Sequence, residues 1–413
     1  MRLALPRWTY SASLVAALPL LAGLTFANYQ FALKAPGGND LLPRWVAAQA
    51  WVSRGVSPYS PEVAVSAQRM MYGRVADARQ GEDLAPFAYP FPAMIFFAPL
   101  GFLPYPVARA IWMTLLEMCL PLGALLAIRL ARWKPPVRIA AILLLFSVLW
   151  FNGFRAILIG QFTVVEALLL TGAMAALDKR RDILAGVLVA LSFAKPQVAF
   201  LFVLFSIVWA ISLHRWKYLL SAALAGSGTL ALSLIILPGW PVEWLRQLVA
   251  NPRSTELGGL FAPQPSFLPF AVGVASGLAL LIFTGWEWVR AWGRSGGWLV
   301  WTATFTLAVT QLALLRPGAA EVILLPGLVL VLATWDQRWG RRGRGAVISI
   351  AIALVLLPWL LLAGSLLGAA YRLWAYAALP VGLLLGLLWV RWWVTRGASL
   401  RLEDHSSDGL GGV

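Results

Sequence analysis

The chain has 413 residues, of which 60% are hydrophobic and only 12% charged, and its mean hydropathy is +0.77. About a quarter of the residues of a soluble globular domain are charged, so this composition excludes such a domain and predicts an all-α polytopic membrane protein. The net charge of +16 is also typical of nucleic-acid binding. Here, however, apolar segments separate the basic residues into short loops, so no nucleic-acid partner is expected.

Cysteine and histidine are too scarce for a disulfide or a metal site built on them. Cys119 is the single cysteine, and His214 and His405 are the two histidines. No acidic cluster that could bind a hard cation is visible either. The sequence therefore predicts neither a metal nor a cofactor.

The basic loops indicate the orientation in the membrane. They hold Arg129, Arg132, Lys134 and Arg138, then Lys179 to Arg181, His214 to Lys217, and Arg338 to Arg344. The positive-inside rule places these loops in the cytoplasm of a multi-pass plasma-membrane protein, with both termini inside.

In chain order, the first apolar run, 14–33, is long enough to span and is predicted to be an uncleaved signal anchor. The first external loop, 34–88, contains an amphipathic stretch at 45–52 that predicts helices lying on the membrane surface. Segment 91–103 is short and bounded by prolines, which predicts a re-entrant or broken helix.

Further apolar segments are expected at 107–130, 138–151, 156–177, 183–194, 197–213, 218–237, 267–285, 297–315, 319–335, 346–368 and 373–394. They give about 12 net crossings. Lys195 interrupts the short pair 183–194 and 197–213 and is predicted to lie in a cavity near the outer leaflet. A second external loop covers 238–266. The tail 401–413 is predicted to be disordered and cytoplasmic.

Asp40 follows the first apolar run and is the leading candidate for a catalytic group. A carboxylate just outside a membrane helix is placed to act as a general base at the headgroup level. The alternative is a structural role, in which Asp40 caps a helix that begins near Pro43.

A series of short motifs in fixed order accompanies Asp40. They are Asp40, Trp45, Ala47-Ala48, Gly55, Pro58-Tyr59, Tyr89-Pro90-Phe91-Pro92, Gly160-Gln161, Asp178 to Asp182, Ala185-Gly186 and Ala194-Lys195-Pro196. Over residues 10–215 this series resembles the polyprenol-phosphate-dependent transferases of glycosyltransferase family 87. Phe91 departs from the pattern because it stands where the family has a second proline, and the turn at 316–321 is only weakly similar.

The resemblance implies a GT-C fold with one transmembrane domain over 1–400 and an inverting reaction. An acceptor hydroxyl of a glycolipid or glycan would attack a sugar, expected to be mannose, on a polyprenyl-phosphate donor at the external face. Asp40 would be the base. Lys195 and Arg316, with Arg155 as a further candidate, would bind the departing phosphate.

Other polar residues have a structural and a functional interpretation. Lys195 could be a snorkelling side chain, and Gln161 could contact either the sugar or a neighbouring helix. Tyr59 and Tyr89 could line the site or belong to the interfacial aromatic belt. Glu117 and Glu166 could pair with arginines such as Arg109 and Arg155, as Glu321 could pair with Arg316.

Two other functions remain open on the sequence. A transporter or flippase of a lipid-linked sugar predicts charged groups near the bilayer midplane and a repeated architecture. The other possibility, a non-catalytic membrane partner, predicts no specific residue or sequence pattern. The acidic group in an outer loop favours the transferase.

Overall fold

A computed structural model describes residues 7–35, 37, 40–251, 254, 256–262, 269–364 and 369–396. Within these residues the regular structure is helical, and extended pairing is limited to one bridge between Leu257 and Leu315. The all-α prediction is therefore confirmed. The predicted tail 401–413 lies outside the described residues.

The helices follow the chain in the order α1 (Arg7–Lys34), α2 (Leu42–Arg54), α3 (Pro61–Tyr72), α4 (Met94–Gly101), α5 (Tyr105–Leu130), α6 (Val137–Leu149), α7 (Phe151–Ile159), α8 (Thr163–Asp178), α9 (Asp182–Ser192), α10 (Pro196–Ser212), α11 (Trp216–Ile236), α12 (Trp240–Ala250), α13 (Phe270–Arg290), α14 (Gly297–Val309), α15 (Leu325–Gly364) and α16 (Ala369–Arg396). Short 3₁₀ turns occur at Ala78–Gln80, Phe91–Ala93, Gly259–Phe261 and Glu321–Leu324, and a π turn at Thr310–Leu314.

Six of the described helical stretches are long and apolar enough to cross a membrane, or seven if α6 and α7, which meet at a bend of 46°, form one span. Several further apolar helices are shorter, including Phe91–Gly101, which at 1.5 Å per residue reaches only about 16 Å. A bilayer core is about 30 Å thick, so this helix is too short to span alone. The figure of about 12 crossings stays a prediction.

The helix boundaries correct two of the predicted segments. The segment predicted at 156–177 is broken at Gly160, whose φ of 74° ends α7, and α8 begins only at Thr163. The loop predicted between 335 and 346 is reduced to a kink at Gly340, where two helices meet within α15. In both places a glycine with positive φ marks the point where the helix breaks.

The amphipathic stretch of the first external loop forms α2, and α2 packs into the protein. Trp45 is buried, and its indole N–H donates to the carbonyl oxygens of Leu100 and Leu103 at 3.1 and 3.0 Å. A Cβ added to Gly101 would lie 2.7 Å from the backbone of Ala48, so α4 approaches α2 closely. This packing shows that one face of α2 is buried in the protein, and the position of the helix relative to the membrane surface stays a prediction.

Polar contacts join the first helix to the body of the protein. Asn28 of α1 donates to the Glu117 carboxylate of α5 at 2.8 Å and to the Thr114 hydroxyl at 3.1 Å. Arg109 donates to the carbonyl oxygens of Ala35 and Leu158. Glu117 thus accepts from an amide, and the predicted Glu117–Arg109 pair is not needed to explain either side chain.

Candidate functional site

Asp40 lies at the entrance to α2, where the end of α7 fixes its backbone. The amide N–H groups of Asp40 and Leu41 both donate to the carbonyl oxygen of Ile159, at 3.0 and 3.3 Å. The N-cap residue of α2 is Leu41 and no side chain caps the helix. The structural alternative, in which Asp40 is the helix cap, is therefore wrong.

Gly160 makes this approach possible. Its φ of 74° is a left-handed conformation, and a Cβ at this position would lie 2.7 Å from Leu41 Cβ. The Gly160 carbonyl oxygen accepts a hydrogen bond from the Trp112 indole N–H at 3.0 Å. The glycine of the motif Gly160-Gln161 thus allows the backbone of residues 40 and 41 to approach the end of α7.

A cavity of about 480 Å³ opens beside Asp40, within the size range typical of small-ligand sites. It lies between the start of α2, the segment 81–88 and the residues after α12. Its lining consists of Asp40, Pro43, Arg44, Ala78, Gly81 to Pro86, Ala88, Ala250, Asn251, Ser254 and Glu256. Asp40 therefore faces a space large enough for a sugar.

Lys195 lies behind one wall of this cavity and is only 1% exposed. Its Nζ lies 2.6 Å from Glu256 Oε2 and donates to Thr163 Oγ1 at 2.8 Å. Lys195 is the last of the three residues between α9 and α10, where the break in the short helix pair brings its side chain into the protein. An ammonium group so far from water requires an opposite charge, and Glu256 supplies it.

Arg44 lines the cavity and contacts the ring of Tyr89, which lies outside the lining. The guanidinium of Arg44 lies 4.9 Å from the ring centroid of Tyr89, a cation–π distance. Burial raises the pKa of the Tyr89 phenol, although Lys195 and Arg44 act to lower it. Burial acts to lower the pKa of Arg44, but Tyr89 and the carboxylates of Asp40 and Glu256 more than offset this and raise it. Tyr89 is thus neutral and Arg44 is cationic at neutral pH.

Tyr59 supports Tyr89 from outside the cavity. The Tyr59 hydroxyl donates to the Tyr89 carbonyl oxygen at 2.8 Å, and its ring packs edge-on against Phe87. Burial raises the pKa of Tyr59 far above its ordinary value. The two tyrosines therefore lie inside the protein beside the candidate site.

Arg155 and Gln161 contact the turn that follows the π turn of 310–314. Arg155 Nη1 donates to the Gly318 carbonyl oxygen at 3.0 Å, and Gln161 Nε2 donates to the Ala319 carbonyl oxygen. Neither residue belongs to the cavity lining. Their described contacts hold the turn at 318–319, and their predicted roles in binding phosphate and sugar stay predictions.

Arg316 connects that turn to Glu256. The Arg316 amide N–H donates to the Glu256 carbonyl oxygen at 2.9 Å, and its Nε donates to the Leu257 carbonyl oxygen at 3.1 Å. The Leu257–Leu315 bridge lies beside these bonds. Arg316 thus lies next to the residue that pairs with Lys195.

Of the buried acids Glu321 and Glu166, the first has hydrogen-bond partners other than the predicted arginine, and the second has none among the described residues. Glu321 accepts from Gln311 Nε2 at 3.2 Å and from the Gly318 amide. Glu166 is fully buried, and neither of its carboxyl oxygens has a hydrogen-bond partner among the residues that the structure describes. The Arg155 guanidinium donates to the Gly318 carbonyl oxygen instead of to Glu166, so this hydrogen bond does not form the predicted Glu166–Arg155 pair.

Two cavity residues, Arg44 and Glu256, were missed in the sequence. Arg44 follows Asp40 by four positions, a spacing that places two side chains on one face of a helix and could have drawn attention to it. Glu256 lies in a long loop with no pattern around it, and its φ of 56° is unusual for a residue other than glycine. No sequence signal available from one chain points to Glu256.

Residues 87–272 match the family model of glycosyltransferase family 87. This match confirms the resemblance stated from the motifs, and it includes Tyr89, Arg155, Gln161, Lys195 and Glu256. Asp40, Arg44 and Tyr59 precede the matched residues and Arg316 follows them. No curated protein and no solved structure matches the chain.

Proposed function

We propose that this chain, a membrane glycosyltransferase with a family 87 region over residues 87–272, is an inverting enzyme with a polyprenyl-phosphate sugar donor. The donor sugar is mannose, and the acceptor is a hydroxyl of a glycolipid or glycan at the external face of the plasma membrane. Membrane lipids surround the chain, and the reaction uses neither a metal nor a cofactor.

One observation carries this proposal: a carboxylate lines the cavity, and a buried ammonium group contacts another residue of the same lining. Asp40 lines the cavity, and Lys195 reaches it through the cavity residue Glu256. Inverting transfer requires a base at the attacking hydroxyl and positive charge at the departing phosphate. The two groups therefore match the two chemical demands of the reaction.

In the proposed reaction, Asp40 accepts the proton of the acceptor hydroxyl as its oxygen bonds to the anomeric carbon. The bond between that carbon and the phosphate oxygen breaks, and its electron pair leaves with the lipid phosphate. Lys195 stabilises this negative charge, with Arg316 close to it through Glu256. Arg44 also lines the cavity and can donate to a sugar hydroxyl, and Tyr89, which lies behind it outside the lining, holds its guanidinium through a cation–π contact.

The Asp40→Asn variant tests this assignment because it keeps the side-chain size and removes the base. In liposomes containing a polyprenyl-phosphate mannose and a glycolipid acceptor, transfer should fall by about 10² to 10⁴-fold. Donor binding should remain, since Asp40 acts on the acceptor. The measurements are release of polyprenyl phosphate and binding of the donor in the absence of acceptor.

Asp77→Asn is the matched control, because Asp77 caps the 3₁₀ turn at Ala78–Gln80 and lies outside the cavity lining. It should transfer sugar at the rate of the unaltered protein. Full turnover by Asp40→Asn contradicts the role of Asp40. Movement of the donor across the bilayer with its sugar still attached to phosphate favours the flippase instead.

A further inference from the structure

Glu256 holds the buried cation of the site from the cavity side. Its carboxylate oxygen lies 2.6 Å from Lys195 Nζ, and its side chain is 22% exposed, against 1% for Lys195. Glu256 also belongs to the cavity lining. The carboxylate therefore stands between the cavity and an ammonium group that is otherwise enclosed by protein.

A phosphate oxygen would compete with this carboxylate for the same ammonium group. Both are anionic oxygens that accept charge-assisted hydrogen bonds at similar distances. Lys195 already uses one of its donors on Thr163. If a phosphate and the Glu256 carboxylate both contacted the Lys195 ammonium group, the two anions would repel each other strongly, because the region has a low dielectric constant.

Arg44 offers Glu256 a second partner in the same cavity. Both residues line it, and Glu256 is among the acidic groups whose charge acts on Arg44. Arg44 Nε is buried and has no hydrogen-bond partner among the described residues. Suppose that phosphate binds Lys195 and Glu256 moves to Arg44. The ammonium group is then paired with phosphate and the carboxylate with the guanidinium, so each buried charge keeps an opposite charge beside it.

We propose that Glu256 is a positioning residue that occupies the donor-phosphate position on Lys195 in the empty enzyme and exchanges to Arg44 when the phosphate binds. This inference rests on the proposed function, since it assumes an anionic phosphate group on the donor. It adds a step to binding: the donor must displace a carboxylate. A phosphate without a lipid chain gains less free energy on binding, so it displaces the Glu256 carboxylate poorly.

Glu256→Gln tests the exchange, because the amide keeps the shape of the side chain but does not compete as an anion. Purified full-length protein in detergent is titrated with a polyprenyl monophosphate and, separately, with inorganic phosphate. Glu256→Gln should bind the polyprenyl monophosphate at least about tenfold more tightly, as expected when a competing state is removed. Its affinity for inorganic phosphate should rise as well, whereas the unaltered protein binds inorganic phosphate weakly.

Glu62→Gln is the matched control, since Glu62 is 55% exposed on α3 and pairs with Arg54 at 3.5 Å. It should bind both probes as the unaltered protein does. Equal or weaker binding of the polyprenyl monophosphate by Glu256→Gln, with normal binding by the unaltered protein, overturns the exchange alone. Failure of every form to bind the polyprenyl monophosphate overturns the proposed donor class and the exchange with it.

A second pair of variants tests the other half of the exchange. Arg44→Gln removes the group to which Glu256 would move, so it should bind the polyprenyl monophosphate at least about tenfold more weakly than the unaltered protein. Adding Glu256→Gln to Arg44→Gln should restore binding, because no displaced carboxylate then needs a partner. Unchanged binding by Arg44→Gln, or weak binding that persists in the double variant, overturns the exchange.

Discussion

At the residue scale, the position of Asp40 depends on a residue that carries no side chain. Gly160 ends α7 with φ of 74°, and the carbonyl group just before it accepts the amide N–H groups of Asp40 and Leu41. A methyl group here would lie 2.7 Å from Leu41 Cβ, closer than real Cβ contacts. A change at Gly160 therefore moves the start of α2 together with the carboxylate.

We expect Gly160→Ala to destabilise the protein by about 1 to 3 kcal/mol through overpacking. It should also reduce the rate of transfer by at least about tenfold, because small displacements of a catalytic group are costly. Thermal unfolding and the transfer assay measure the two effects. Gly73→Ala is the control: Gly73 has a similar φ of 71° with nothing within 4 Å of an added Cβ. Equal losses in both variants would attribute the effect to backbone strain and not to contact with Leu41.

The sequence predicted the residues of the candidate site and its surroundings unevenly. Asp40, Tyr89 and Lys195 could be identified because helix ends, prolines and a family motif surround them. Glu256 could not, since the loop that brings it to Lys195 joins residues 61 positions apart in the chain. Such a contact depends on how α12 and the turn at Arg316 pack, and hydropathy carries no information about that packing.

At the element scale, a buried ion pair joins α13 to α16. Glu287 is 1% exposed and accepts from Arg391 Nε and Nη2 at 3.1 and 2.8 Å. Arg290, one turn from Glu287 and 48% exposed, also lies 3.7 Å from it. The same carboxylate thus has one enclosed partner and one partner near solvent or lipid headgroups.

We expect Arg391→Gln to destabilise the protein by about 3 to 5 kcal/mol, since it leaves Glu287 buried and uncompensated. Arg290→Gln should cost less than about 1 kcal/mol, as exposed pairs do. Thermal unfolding in detergent, followed by tryptophan fluorescence, compares the two variants. In the double variant Glu287→Gln/Arg391→Gln, much of the lost stability should return. Similar midpoints for Arg391→Gln and Arg290→Gln would contradict the structural role of the inner pair.

Helix boundaries were predictable where hydropathy changes and not where the backbone turns. The proline at 196 and the polar residue before it correctly separated α9 from α10. The break at Gly160 was missed because the segments before and after Gly160-Gln161 are both apolar. Around Gly340 the charged residues correctly predicted a break between two helices, but not that both helices extend up to the glycine itself.

At the scale of the whole molecule, charge predicts orientation but not the number of crossings. The positive-inside rule needs only the location of basic residues. A count of crossings must also decide which short helices span, and length alone leaves Phe91–Gly101, Asp182–Ser192 and Pro196–Ser212 outside the six stretches that qualify. The proposed external site therefore requires a direct measurement of topology.

Single cysteines on a Cys119→Ala background measure it, because Cys119 is the sole native cysteine and is buried. Arg79→Cys lies on an exposed turn of the first loop, and Arg342→Cys lies on the exposed basic part of α15. In intact cells a membrane-impermeant maleimide should label Arg79→Cys, whereas Arg342→Cys should react only after permeabilisation. Labelling in the reverse order would place the cavity in the cytoplasm.

The packing of α11 has a consequence for how the protein responds to the surrounding lipid. Only 6% of its apolar window is buried, and it rests mainly on α9, where a Cβ at Gly186 would lie 2.6 Å from the Ala222 nitrogen. At 1.5 Å per residue, the 21 residues of α11 extend about 31 Å, close to the hydrocarbon thickness of an ordinary bilayer. We therefore expect acyl chains to be the principal neighbours of this helix, and shorter or longer lipid tails to tilt it against α9 before they disturb the enclosed helices around α14.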